Sequence, residues 1–189
     1  MKSQYRNTWI ALTAATPLLV MAAAPAAAEE RVCRGTIGAT TVDNLRVPDN
    51  ANCVLKGTRV KGTIKVESNA TLRAEDVVVI GNVQAENAKN VRVLEGSRVG
   101  GSVQVKQGGG ATVSDSRVDA DIQYESNSAM LRVLRNVVGG NVQAFQNVGG
   151  VEIRRNTIDG NLQCKANSPP PVGGRNVVDG NKEDQCRRL

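Results

Sequence analysis

Histidine is absent from the chain, aromatic residues make up only 2 % of it, and basic residues never gather into runs. Each absence excludes something. Without histidine there is no Ser–His–Asp or Cys–His nucleophilic centre. A zinc site would need widely spaced cysteines alone, with no close pair among them. Tyr124 and Phe145 are the only rings beyond residue 28, too few to anchor a conventional globular core. Nucleic-acid binding wants a basic stripe with stacking rings, and both are missing. Gly108-Gly109-Gly110 lacks the Lys-Ser/Thr of a phosphate loop and reads as a flexible corner.

One long apolar stretch does exist, at the start. Lys2 and Arg6 precede the run from Trp9 to Ala24, and Ala26-Ala27-Ala28 stands before Glu29-Glu30. That order of charge, apolar core and small residues predicts a secretory signal over residues 1–28, cleaved after Ala28. Pro17 and Pro25 interrupt the run and make it a poor membrane anchor. The predicted mature part, residues 29–189, is then periplasmic or secreted, with no membrane anchor. Setting Lys2 and Arg6 aside lowers the formal net charge from +6 to +4, a mixed surface with no preferred polyanion. Asn69-Ala70-Thr71 matches a glycosylation acceptor but is discounted, because the signal looks bacterial.

What the chain has in abundance is self-similarity. Gly81-Asn82-Val83-Gln84-Ala85 returns as Gly101-Ser102-Val103-Gln104-Val105, Ala120-Asp121-Ile122-Gln123-Tyr124, Gly140-Asn141-Val142-Gln143-Ala144 and Gly160-Asn161-Leu162-Gln163-Cys164. Gly62-Thr63-Ile64-Lys65-Val66 precedes the set, Gly35-Thr36-Ile37 reads as an opening fragment, and Gly180-Asn181 starts a copy broken at Lys182. Repeats of about twenty residues signal a solenoid. Each phrase alternates apolar and polar residues, the period of a strand with one buried face. A second strand column runs through Val91/Val93, Ala111/Val113, Leu131/Val133 and Val151/Ile153, and a third through Val79, Val99, Val118, Val138, Ile158 and Val178.

The expected fold is therefore all-β: a single-stranded parallel β-solenoid of about seven coils, roughly 34 Å long at the ~4.8 Å spacing of stacked strands. Asn87, Gln107, Asn127, Asn147 and Asn167 recur at one bend. Ser97, Ser116, Asn136, Asn156 and Asn176 recur at another, with the parity of the buried valines, so their amides should point inward and bond along the stack. Cys33 and Cys53 lie near the first coil, Cys164 and Cys186 near the last, each pair about one coil apart. Two terminal disulfides follow, at about 3 kcal/mol each, although spacing alone leaves other connectivities open. The segment from Asn167 to Gly174, with Pro169-Pro170-Pro171, cannot continue a central strand and predicts a loop in the last coil.

The Gly-Asn-Val-Gln phrases and the inward amides resemble the right-handed parallel β-helix of pectate-lyase-like proteins, across nearly all of residues 29–189. The chain also looks like an uncharacterised group of bacterial exported β-helix proteins ending in phrases such as Gly160-Asn161-Leu162-Gln163-Cys164 and Gly180-Asn181-Lys182-Glu183-Asp184-Gln185-Cys186. That resemblance implies right-handed winding and an export route, and no particular activity. The coil is short, and the long substrate-carrying loops of the enzymes are missing.

The expected function is accordingly non-catalytic: a structural or interaction module of the envelope or extracellular space, adhesive or glycan-associated. No cofactor or metal is expected, and the partner would be a glycan or another envelope protein. Two arrays are candidate binding residues. Gln84, Gln104, Gln123, Gln143 and Gln163 form an outward column on a flat sheet, able to match a repetitive ligand or merely to bond one another. Asp119, Asp159 and Asp179 share a second column, with Arg135, Arg155 and Arg175 a few residues upstream. The alternative is a polysaccharide lyase or hydrolase working through those acids and arginines.

Overall fold

The computed structural model describes residues 29–189, so the predicted signal segment lies outside the described residues. Among the described residues there is no helix, and three parallel sheets of nine, eight and eight strands wrap one column of core in about seven coils. The first sheet carries the repeated phrase, on strands such as Val83–Glu86, Val103–Lys106 and Ile122–Glu125. The second carries strands such as Asn90–Leu94, and the third the two-residue strands such as Arg98–Val99.

The register is set by the alternation within each phrase. Val83 stacks on Ile64 and Val103, Ile122 on Val103, and Leu162 on Val142. These six residues are at most 1 % exposed, and full burial of each aliphatic side chain contributes about 1.5–3 kcal/mol. The columns through Val93 and Val113, and through Val99 and Val118, close the other two walls of the interior. Tyr124 is the one ring inside; its hydroxyl donates to the Arg132 carbonyl oxygen across the core at 3.2 Å.

Two corrections concern register. Gly35-Thr36-Ile37 is not an opening copy of the phrase: Thr36–Ile37 pairs with Val54–Leu55 in the second sheet. The first-sheet strand before Ile64–Val66 is Asn44–Val47, in register with it. There Asp43 takes the glycine position, which hides the copy. Asn87 and Gln107 do not belong with Asn127, Asn147 and Asn167 either. The coil between Lys106 and Glu125 spans nineteen residues, so Asn87 and Gln107 stand level with Ser126, Gln146 and Ala166. These are exposed corner residues, all with φ between 53° and 57°.

The expected inward amide ladder is present, and a second one runs through the other bend. Gly108, Asn127 and Asn147 each donate a backbone N–H to the Oδ1 of the next coil's asparagine, ending at Asn167. Ser116, Asn136 and Asn156 do the same, ending at Asn176. The Nδ2 groups of Asn127, Asn136, Asn147, Asn156 and Asn167 each also reach a backbone carbonyl of the preceding coil and the amide oxygen above. Among the described residues no buried side-chain nitrogen or oxygen lacks a partner. That is the condition for carrying amides in an apolar interior.

Gly108 is packed into its corner, where an added Cβ would lie 2.6 Å from the Ala88 carbonyl oxygen, and Gly110 already belongs to strand Gly110–Ser114. The triplet is thus a close-packed bend, not a flexible one. Pro169 and Pro170 do lie in an exposed loop, which ends at strand Val172–Gly174. Cys33 bridges Cys53 and Cys164 bridges Cys186, with Cα–Cα distances of 5.5 and 5.2 Å. Each bridge closes one end of the core.

Candidate functional site

The outer face of the first sheet is a lattice of short polar side chains, and its chemistry explains the repeated phrase. The side-chain oxygens of Asn44, Thr63, Asn82, Ser102, Asp121, Asn141 and Asn161 each accept the backbone N–H one coil further on, at 2.6–3.3 Å. This ladder runs opposite to the inward ones. Glycine precedes most rungs because of that oxygen. A Cβ at Gly101 would meet the Asn82 Oδ1, and one at Gly160 would lie 2.6 Å from the Asn141 Oδ1. Asp43, before the first rung, and Ala120 are the exceptions; beneath Ala120 lies Ser102, whose oxygen sits one bond closer to its own backbone.

Beside this ladder stands the predicted glutamine column. Gln84 donates to Gln104 at 3.2 Å and Gln104 to Gln123 at 3.0 Å. Gln143 donates to Gln163 at 2.8 Å and Gln163 to Glu183 at 2.9 Å. Gln123 turns aside to Asp121, which interrupts the run. The amides are thus largely spent on one another. A shallow groove flanks this face near Lys65, Glu67, Glu86 and Lys106. Its lysines are also engaged, Lys65 with Glu67 at 3.6 Å and Lys106 with Glu125 at 3.1 Å.

The acidic column lies along one margin of the third sheet, where Asp119, Asp159 and Asp179 are exposed at equivalent positions. The arginines occupy the corner at the opposite margin. These two columns are not joined by ion pairs. Arg135 instead grips Asp115 of the coil below through two bonds of 2.6 and 2.7 Å, and Asp119 is held by Arg117 at 2.6 Å. The hydrogen bond from Arg135 is the main reason the Asp115 carboxyl is held below its usual range, and the same bond raises the Arg135 guanidinium. Comparison of the chain with protein-family models, with curated proteins and with solved structures returns no match. Among the described residues, no three metal-ligating side chains converge.

Reading the residues up to Asp115 and Arg135 as positions of one corner exposes a pattern that the sequence inspection missed. Asp76, Glu95, Asp115, Arg135, Arg155 and Arg175 occupy the same bend of six successive coils, all with φ between 51° and 59°. The signal was available: each stands immediately before the inward residue of its coil, except Glu95, which Gly96 separates from Ser97.

Proposed function

We propose that this chain is an exported, non-catalytic rod, serving the cell envelope or extracellular space as a structural or adhesive element. The single observation that carries this reading is that the repeated polar side chains of the flat face are bonded to one another, coil to coil. A face that satisfies itself supports rigidity and spacing better than turnover. The two terminal disulfides are consistent with an oxidising, extracytoplasmic location. Kinship with the right-handed pectate-lyase-like helices and with bacterial exported β-helix proteins is part of this reading, and rests on the repeated phrase and the inward amides.

A glycan array probed with the oxidised domain of residues 29–189, followed by incubation with acidic and neutral polysaccharides, tests it. The expected result is no release of sugar products, with any glycan binding unchanged in Asp159→Ala/Asp179→Ala. Polysaccharide turnover that disappears in that double variant would establish the lyase or hydrolase reading instead.

A further inference from the structure

The corner between the second and third sheets divides the rod by charge. Going up the coils it presents Asp76, Glu95 and Asp115, then Arg135, Arg155 and Arg175, all exposed. Nothing in the turn demands this. The corner between the first and second sheets has the same left-handed backbone, and it is filled by Asn50, Asn69, Asn87, Gln107, Ser126, Gln146 and Ala166, all uncharged. Left-handed positions favour Gly, Asn and Asp, and the other corner shows that this bend also accepts Gln, Ser and Ala, so the turn itself does not call for charge. Stacking like charges on adjacent rungs is destabilising within one molecule.

Only the junction is neutralised internally, by the two bonds from Arg135 to Asp115. Three neighbouring charges are engaged elsewhere, Glu75 with Arg73, Arg154 with Glu152, and Arg117 with Asp119, while Arg98, three residues past Glu95, makes no ion pair among the described residues. Asp76, Glu95, Arg155 and Arg175 make no ion pair among the described residues.

We propose that this corner is a self-complementary ridge through which two copies of the chain associate side by side, antiparallel, about a two-fold axis between the Asp115 and Arg135 rungs. A C2 contact uses the same patch on both partners, and an acid-then-base column is the simplest patch that complements its own reversal. With the axis there, Asp115 of one copy faces the partner's Arg135, Glu95 faces the partner's Arg155, and Asp76 faces the partner's Arg175. The equal rung spacing of the two rods keeps all three levels aligned. The ridge is about 24 Å long at ~4.8 Å per rung and narrow, so the contact falls among weak, reversible, salt-sensitive associations. The partner is a second copy because both charge blocks are matched by it. An anionic polymer would match only the arginine half. The inference rests on the corner geometry and is independent of the functional reading above.

Sedimentation velocity of the oxidised domain of residues 29–189 tests this. At low ionic strength the wild type should shift towards dimer as concentration rises to about 1 mM, and half-molar salt should abolish the shift. Arg155→Glu/Arg175→Glu, and separately Asp76→Arg/Glu95→Arg, should each weaken self-association about tenfold or more. An equimolar mixture of the two variants should associate again. Native circular dichroism of each variant checks that the fold is kept; if charge reversal unfolds the rod, Arg155→Gln/Arg175→Gln replaces it. A wild type that stays monomeric at 1 mM in low salt overturns the proposal, as does a mixture that fails to associate. Binding of dextran sulfate through Arg155 and Arg175 without self-association also overturns it, assigning the ridge to a polyanion.

Discussion

Replacing Asn156 by alanine should cost this rod more than almost any other single polar substitution. Asn156 is 1 % exposed. Its Oδ1 accepts from the Asn136 backbone N–H at 2.9 Å and from the Asn136 Nδ2 at 3.1 Å. Its Nδ2 donates to the Val133 carbonyl at 2.8 Å and to the Asn176 Oδ1 at 2.9 Å. Truncation strands two buried donors on Asn136, at about 1–2 kcal/mol each, and removes two further bonds worth about 1 kcal/mol together. The vacated volume adds a smaller cavity cost. The total, about 3–5 kcal/mol, should lower the urea midpoint by about 2 M at a slope near 2 kcal/mol/M. Gln143→Ala is the control. Gln143 also belongs to a ladder but faces solvent, where water replaces its bond to Gln163, so its cost should stay below about 1 kcal/mol. Far-UV circular dichroism against urea reads both. If Asn156→Ala moves the midpoint no further than Gln143→Ala, the inward ladder is not what holds the coils in register.

Two other outcomes follow from the same geometry. Gly101→Ala should destabilise the rod by about 2 kcal/mol or more, because the new Cβ meets the Asn82 oxygen. Adding Asn82→Ser should recover only the part of that loss due to the Asn82 side chain in the same urea titration, because the Gly81 carbonyl oxygen also lies 2.9 Å from the new Cβ. Tyr124 is 1 % exposed and burial pushes its phenol far above the ordinary range. A raised folded-state value means that its contribution is complete below about pH 10 and is lost as pH climbs beyond. Absorbance at 295 nm should therefore show no phenolate in the folded domain at pH 11, and should rise only together with loss of the β signal. A separate phenolate transition in the folded state would contradict the buried placement.

Most of the fold was legible because a solenoid writes its interior directly into the period of its sequence. Val83, Val103, Ile122, Val142 and Leu162 stack as their spacing requires. Errors arose where coil length changes. One nineteen-residue coil moved Asn87 and Gln107 off the ladder that begins structurally at Gly108 and Asn127. The copy at Asn44 escaped notice because its glycine is replaced by Asp43, while its hydrogen-bonding oxygen remains. The purpose of the glycine was also hidden: spacing cannot reveal that it clears an oxygen of the coil below. The charge-divided corner was half seen, as three arginines, because the acids belong to different local words and share only a backbone bend.

The two kinds of ladder explain why the last phrase breaks where it does. An inward ladder hands each backbone N–H to an asparagine of the coil above, and at Asn167 a different acceptor takes that place. Gln185 supplies it, with its Oε1 taking both the backbone N–H and the Nδ2 of Asn167 at 2.9 and 3.1 Å, and its Nε2 returning a bond to the Asn167 carbonyl. Lys182 occupies the core column directly above Leu162, where another aliphatic residue would invite a further coil or a second molecule. Its ammonium donates to the Asn176 carbonyl at 3.0 Å. Cys186 then ties this turn to Cys164. Lys182, Gln185 and Cys186 thus satisfy, charge and tether the end of the stack. The broken copy at Gly180-Asn181 serves as a cap of the kind a quasi-one-dimensional fold needs.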